Sequence, residues 1–357
     1  MKKNKKVLVA LSGGVDSSTA AALLKERGFD VYGLFLKLWS MDGEHLVAEN
    51  QMMVQKVAEK INIPLFILDL KKEFKKEIVD FFIKEYQRGK TPNPCVICNQ
   101  KIKFNFLLKK AQMLGCDFVA TGHYARVKKV NGNFKLLKAK DINKDQSYFL
   151  WRLSQKELSK IIFPIGDFKK NEVRKMAEKF GLPTAQRKES QEICFIPFKD
   201  YRDFFKKIFD EKKIKKGKII DKNNNVIGEH NGIVFYTLGQ RKGLNIKVTN
   251  PVFDPFYVLK INPQKNLITV GKFDDLYQKE CFLKDVNFIN SQLDFPLKCR
   301  VKIRYGAKEV PAKVVLANNK FKVIFEKKVW APTPGQSAVF YKRGEVLGGG
   351  IIETFDT

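Results

Sequence analysis

Residues 12–18 read Ser12-Gly13-Gly14-Val15-Asp16-Ser17-Ser18, between an apolar run from Val7 to Leu11 and an alanine-rich stretch from Thr19 to Arg27. Every residue type in that segment suits the holding of an anion. Glycines let the backbone approach a phosphate closely, a helix beginning after them presents unpaired N–H groups, and Ser12, Ser17 and Ser18 add hydroxyl donors. No lysine follows the glycines, so this is not a Walker A loop. Asp16 places negative charge where an anion is expected, which points to a nucleotide accompanied by magnesium. The plain alternative is a strand-turn-helix corner with glycine and serine caps.

A second segment, Thr91-Pro92-Asn93-Pro94-Cys95-Val96-Ile97-Cys98-Asn99, carries two thiols three residues apart. Its prolines bias the preceding residues away from helix, so the cysteines are expected on a rigid loop leading into a helix from Lys101. Cys98, close to that helix N-terminus, is expected to ionise readily. A third thiol, Cys194, lies in Glu189-Ser190-Gln191-Glu192-Ile193-Cys194-Phe195-Ile196. Three readings compete: a structural zinc site, short of ligands with one CxxC pair and three histidines in the chain; buried inert thiols; and redox or sulfur-transfer chemistry.

These groups need elements to hold them. Val7 to Leu11, Val31 to Leu36, Leu65 to Leu70 and Phe118 to Thr121 are short apolar runs, separated by helical patterns such as Glu49 to Ile61 and Lys101 to Gly115. That alternation predicts an α/β fold with a doubly wound parallel sheet. Ligands in such sheets sit beyond the carboxyl ends of strands, and both the Ser12 loop and Thr121-Gly122-His123-Tyr124 follow strand ends. A helical group follows from Gln155 to Lys207. Beyond the lysine-dense stretch Lys206 to Lys218 the period changes to two, and short strands are expected at Gly232 to Thr237, Phe256 to Ile261, Leu267 to Val270, Lys298 to Arg304, Ala312 to Leu316, Phe321 to Phe325 and Ser337 to Tyr341. The reading divides the chain into a catalytic α/β domain with a helical extension (1–209), a small central β-rich domain (210–278) and a C-terminal β-barrel (279–357).

The chain has 357 residues, 67 Lys plus Arg and 38 Asp plus Glu, a formal net charge of +29. Such a surplus favours a polyanionic partner, because counterions released from a phosphate backbone drive association. Six cysteines in a chain this long are too few for a disulfide scaffold, and a reducing, cytoplasmic setting is expected. No apolar run reaches the roughly 20 residues of a membrane span, so no membrane partner is expected.

The glycine loop resembles the pyrophosphate-binding loop of N-type ATP pyrophosphatases, which split ATP between its α and β phosphates. The whole chain resembles the bacterial tRNA-specific 2-thiouridylases, which place sulfur on C2 of the wobble uridine, U34, of tRNA. The matching blocks are SGGVDSS (12–18), TPNPCVICN (91–99), IKF (102–104), TGHYAR (121–126), KDQSYFL (144–150), FPIG (163–166), ICFIP (193–197), YTLGQRKGL (236–244), RYG (304–306) and TPGQSAVFY (333–341).

The resemblance implies ATP contacts from Ala10, Leu11, Ser12, Gly13, Gly14, Val15, Asp16 and Ser17, from Leu36 (methionine in many members) and from Gly122, with Asp16 toward Mg²⁺. It implies that Asn93, Pro94 and Cys95 receive the flipped-out uridine, that Cys98 is the nucleophile and that Cys194 carries persulfide sulfur. His123, Lys144, Asp145, Gln146, Arg304, Tyr305 and Gln336 fall where members contact tRNA. The implied partners are the tRNAs for Lys, Glu and Gln and a cysteine desulfurase or sulfur-relay protein. Cys95 departs from the pattern, since many members have aspartate there; Cys95, Cys98 and Cys194 could alternatively hold an iron–sulfur cluster. Two further function classes stand beside this one: a synthetase that adenylates a small molecule and admits ammonia, and an RNA-binding protein with a decayed nucleotide loop.

Overall fold

The computed structural model describes residues 4–41, 44–188, 193–209, 214–246, 255–290 and 292–353. In chain order its first half contains β1 (Lys6–Leu11), α1 (Val15–Glu26), β2 (Asp30–Lys37), α2 (Glu44–Lys60), β3 (Leu65–Asp69), α3 (Lys71–Phe74), α4 (Asp80–Gln87), α5 (Pro94–Cys98), α6 (Asn105–Met113) and β4 (Phe118–Thr121). There follow β5 (Ala125–Val130), β6 (Asn133–Lys138), α7 (Gln155–Leu158), β7 (Ile161–Ile162), α8 (Lys170–Lys179) and α9 (Tyr201–Ile208). Strands β3-β2-β1-β4-β7 form one parallel sheet in that order.

The alternation within β1 explains why helices cover both faces. Val7, Val9 and Leu11 pack with Ala21 and Leu24 of α1 and with Val54 and Ala58 of α2. Leu8 points the other way, into a cluster with Leu34, Val119 and the α6 residues Leu107 and Ala111. Strand order reverses beside β1, so a crevice opens at its carboxyl end, between it and β4.

The second half contains β8 (Gly217–Ile220), β9 (Val226–His230), β10 (Tyr257–Asn262), β11 (Leu267–Gly271), β12 (Tyr277–Phe288), β13 (Leu297–Lys302), β14 (Val310–Ala317), β15 (Lys320–Trp330), β16 (Ser337–Lys342) and β17 (Glu345–Ile352). Strands β10-β11-β8-β9 make a small sheet. Strands β12-β15-β14-β13-β16-β17 close into a six-stranded barrel through the β12–β17 pairing. The strand expected at Gly232 to Thr237 is instead a short 3-10 turn, Ile233–Phe235, entered through Gly232 at φ 126. Its apolar residues pack into the central core without joining a ladder.

Two departures from the expected layout bear on function. The hairpin β5–β6, turned by Asn131 and Gly132 at φ 48 and 83, belongs by sequence to the α/β half but pairs with β17 and extends the barrel sheet. The cysteine pair, expected on a loop, lies in a helix. Asn93 caps α5 by accepting from the Cys95 amide at 3.2 Å, Pro94 occupies the first turn, and the helix runs on through a π-helical segment, Asn99–Phe104, into α6. Proline suits the first helical position because its missing N–H would be unpaired there anyway.

Candidate active site

Gly13 takes φ +80, and a Cβ there would meet an Arg187 nitrogen at 3.0 Å and the Asn50 carbonyl oxygen at 3.1 Å, so the turn requires glycine. Gly14 precedes α1 with no side-chain cap, which leaves the helix N-terminus to an incoming anion. The serines mostly serve the loop itself: Ser17 Oγ donates to the Gly14 carbonyl at 3.1 Å and accepts from the Ser12 amide at 3.1 Å, and Ser18 Oγ donates to Gly14 at 2.9 Å. Leu11 and Val15 are core residues, and Ala10 and Leu36 are partly buried against the sheet core. Gly122 closes the floor, for a Cβ there would lie 2.6 Å from the Ser17 nitrogen.

Two cations that sequence reasoning missed flank this cradle. Lys170, at the start of α8, donates to both Asp16 carboxylate oxygens at 2.7 and 2.8 Å, and Tyr124 Oη donates to Oδ1 at 2.9 Å. Arg187 donates to the Gly13 carbonyl at 2.7 Å and pairs with Glu49 at 2.9 Å. Lys170 follows the FPIG block by only a few residues, which is the one signal that could have drawn attention to it. With the helix end they make a positive surround for phosphates. Magnesium is commonly held by one or two carboxylates together with nucleotide phosphates and waters, so a single Asp16 fits it, sharing its carboxylate with Lys170.

Cys98 is buried beside Ile97, Ile102, Phe195 and Ile196, and that burial pushes its thiol up to about 12. The expectation of a readily ionised Cys98 is therefore corrected: it ends α5 instead of starting a helix, and the position nearest the helix N-terminus belongs to Cys95. Cys95 is half-buried and its thiol is raised as well, again by desolvation. Cys194 reaches solvent, yet the protein surrounding it, followed by the charge of Cys95, pushes its thiol up to about 11. Opposing those shifts in all three is one ammonium, Lys103 of the π-helical segment. Segment 189–192, which leads to Cys194, lies outside the described residues.

Among the described residues no three Cys, His, Asp or Glu side chains group as a metal ion requires. Cys95, Cys98 and Cys194 do not form such a group, so neither a zinc site nor an iron–sulfur cluster fits them as they stand. His123 bridges the two regions. It follows Gly122, contacts Thr121 Oγ1 through Nδ1 at 2.7 Å and stacks on Phe104, with ring centroids 5.9 Å apart. Burial, reinforced by Lys103, holds it well below the usual histidine value and so uncharged.

The other residues singled out for tRNA have structural partners. Asp145 is buried and accepts from the Ala139 amide at 3.0 Å and the Ser147 hydroxyl at 2.8 Å; burial nonetheless raises its carboxyl. Gln146 accepts from the Tyr124 amide at 2.9 Å. Lys144 sits in the adjoining turn, its amide bonded to the Asp141 carbonyl at 3.1 Å. Tyr305 is 39% exposed and packs on Phe149 with centroids 4.5 Å apart. Arg304 lies over the Trp330 ring at 5.1 Å. Gln336 donates its side-chain amide to the Thr91 carbonyl at 2.8 Å.

Residues 5–198 match a family described as tRNA methyl transferase HUP domain, 202–272 its PRC-barrel domain and 278–352 an aminomethyltransferase β-barrel domain. The chain is 45% identical over 350 residues to a protein of Clostridium botulinum named tRNA-specific 2-thiouridylase MnmA 2, covering 97% of this chain and 98% of that one. A protein of the same name from Clostridium tetani is 46% identical over 360 residues, covering 98% and 99%. The tRNA-specific 2-thiouridylase MnmA of Clostridioides difficile is 44% identical over 360 residues, covering 98% of each.

Proposed function

Because this chain belongs to the tRNA-specific 2-thiouridylase family and is a tRNA-uridine 2-sulfurtransferase, we propose that it thiolates C2 of the wobble uridine, U34, through an adenylated tRNA and a cysteine persulfide. The observation that carries the reading is the adjacency at Gly122 and His123. One residue presses on the first turn of α1, and the next stacks on Phe104 of the helical run that carries Cys98. That adjacency supports a nucleotide cradle and a sulfur site served from one strand end.

Oxygen on C2 of uridine is a poor leaving group, and attack of that oxygen on the α-phosphorus of ATP, with departure of pyrophosphate, gives an O2-adenylated uridine whose leaving group is AMP. The α1 N-terminus, Lys170 and Arg187 would hold the pyrophosphate as its charge develops. Asp16 would hold magnesium, which when bound neutralises that charge. Uridine would enter beside Asn93, Pro94 and Cys95, with His123 against it; extruding a loop base costs only about a few kcal/mol. The terminal sulfur of a Cys194 persulfide attacks C2, forming C–S as C–O breaks and AMP leaves. Cys98 then attacks the Cys194 sulfur, releasing 2-thiouridine and leaving a Cys98–Cys194 disulfide, which an external thiol reductant must open.

Cys95, in place of the aspartate of many members, supplies no carboxylate, so protons exchange with water or with Cys95 itself. The proposed partners are the tRNAs for Lys, Glu and Gln and a cysteine desulfurase or sulfur-relay protein, with Tyr305, Arg304 and Lys144 on the tRNA face. Among the described residues no helix is long and apolar enough to cross a membrane, and the proposed setting is cytoplasmic. Nucleoside mass spectrometry of tRNA incubated with protein, ATP, Mg²⁺ and a sulfur source tests the reading. 2-Thiouridine that requires every component supports it; ATP cleavage that depends on a small acid instead of tRNA would replace it with the synthetase reading.

A further inference from the structure

We propose that Lys103 is the positioning residue of the sulfur site, an ammonium held in place to stabilise the sulfur anion formed among Cys95, Cys98 and Cys194. The proposal deepens the thiolation reading and rests on it for its meaning, though not for its test.

The placement follows from the helix that carries it. Cys98 and Lys103 are five residues apart. In an α-helix that spacing puts two side chains on different faces, because neighbours there stand three and four residues apart. Between Asn99 and Phe104 the helix is π-wound, with i→i+5 closure, and a residue five along returns toward the starting face. Ile102 and Phe104 on either side are fully buried, so the backbone at Lys103 is anchored.

The charge environment is one-sided. Lys103 is half-buried and makes no hydrogen bond or ion pair with another described residue, whereas Lys101, two positions earlier, is paired with Glu77 at 2.6 Å. The charge of Lys103 favours the ionised form of Cys95 and Cys98 from α5 and of Cys194 from the 193–196 segment, and disfavours a charged His123 at the end of β4; its helical neighbours Ile102 and Phe104 touch the same surroundings, Ile102 in one apolar cluster with Cys98, Phe195 and Ile196, and Phe104 stacked on His123. His123 is neutral, so it adds no competing positive charge. Among the described residues no carboxylate acts on any of the three thiols; Glu189 and Glu192 lie outside them. The groups at hand that can become anions and pair with that cation are the thiols. Ionising one sends its proton to solvent and leaves the thiolate, or persulfide anion, beside Lys103.

The test uses the full-length protein and Lys103→Met and Lys103→Arg, with Lys103→Gln as a second neutral variant should Met lower stability. Alkylation of the solvent-exposed Cys194 by iodoacetamide is followed across pH by peptide mass spectrometry, without tRNA. Single-turnover thiolation and tRNA-dependent pyrophosphate release are followed in parallel. The neutral variants are expected to shift the Cys194 alkylation profile and the thiolation profile about one pH unit upward, about a tenfold loss at fixed pH below the midpoint, with pyrophosphate release unchanged and Arg restoring both. Alkylation profiles that superpose on wild type would overturn the proposal, as would pyrophosphate release falling in step with thiolation. If wild type makes no 2-thiouridine at all, the thiolation reading fails, while the alkylation shift still decides the role of Lys103.

Discussion

Gln336, on the turn before β16, donates its side-chain amide to the carbonyl of Thr91 at 2.8 Å, across 245 positions of sequence. The Thr91 amide in turn donates to the Pro334 carbonyl at 2.9 Å, and its hydroxyl meets that of Thr237 at 3.0 Å. Thr91 is therefore tied to both β-rich parts of the chain, two residues before the helix cap that presents Cys95. Gly335 at φ +92 permits the approach, since a Cβ there would lie 3.0 Å from the Thr91 backbone.

Gln336→Ala removes one hydrogen bond of this clasp. The expected cost is about 1 kcal/mol of stability and a several-fold fall in thiolation with tRNA affinity little changed. Urea unfolding and filter binding separate the two effects; a large loss of affinity at unchanged stability would make Gln336 a tRNA contact instead.

Asp16→Asn is expected to abolish pyrophosphate release while leaving tRNA affinity nearly intact. Lys170→Met should also impair release, because the Asp16 carboxylate loses its bidentate partner. Wild-type release from either variant in a coupled pyrophosphate assay would detach this pair from ATP.

Cys98→Ser and Cys194→Ser are each expected to abolish thiolation but to retain tRNA-dependent pyrophosphate release, as activation needs no thiol. Cys95→Ser should keep substantial thiolation in aerobically purified protein. Iron that is stoichiometric in anaerobic wild-type protein and lost together with activity in Cys95→Ser would reverse the assignment.

Arg304→Ala is expected to weaken tRNA binding and reduce the slope of log affinity against log salt by about one released counterion. The guanidinium also covers Trp330, so a modest loss of stability should accompany it. An unchanged slope would confine Arg304 to packing.

Alkali should destabilise the protein through its buried thiols. Burial raises Cys98 to about 12, Cys299 to about 12 and Cys281 further still. Above the ordinary thiol range the folded state keeps protons that the unfolded chain has released. Stability from these groups is thus complete below about pH 8.5 and declines as pH rises beyond it, by about 1.4 kcal/mol per pH unit per thiol. Urea midpoints at pH 8 to 10.5 should fall less steeply in Cys281→Ala than in wild type; parallel slopes would contradict the assignment.

What the residues determined alone is what depends on near neighbours in the chain. The loop from Ser12 to Ser18 is legible because its glycines, its helix start and the strand before it lie within a few positions, and β1 to β4 are legible because buried parallel strands are short apolar runs. The family blocks likewise singled out Cys95, Cys98 and Cys194. Even the hairpin turn at Asn131-Gly132 was open to a local reading. That its strands complete the barrel sheet was not, because β6 meets β17 more than 200 residues away. The same holds for Lys170 on Asp16, Arg187 on Gly13, and Gln336 on Thr91: each pairing joins residues that share no local pattern, and only the packing of helices and domains brings them within hydrogen-bond reach. Cys98 marks the boundary most sharply. Its type and spacing announced a reactive thiol, but its proton affinity is set by burial against Phe195 and Ile196, which is a property of the assembled core.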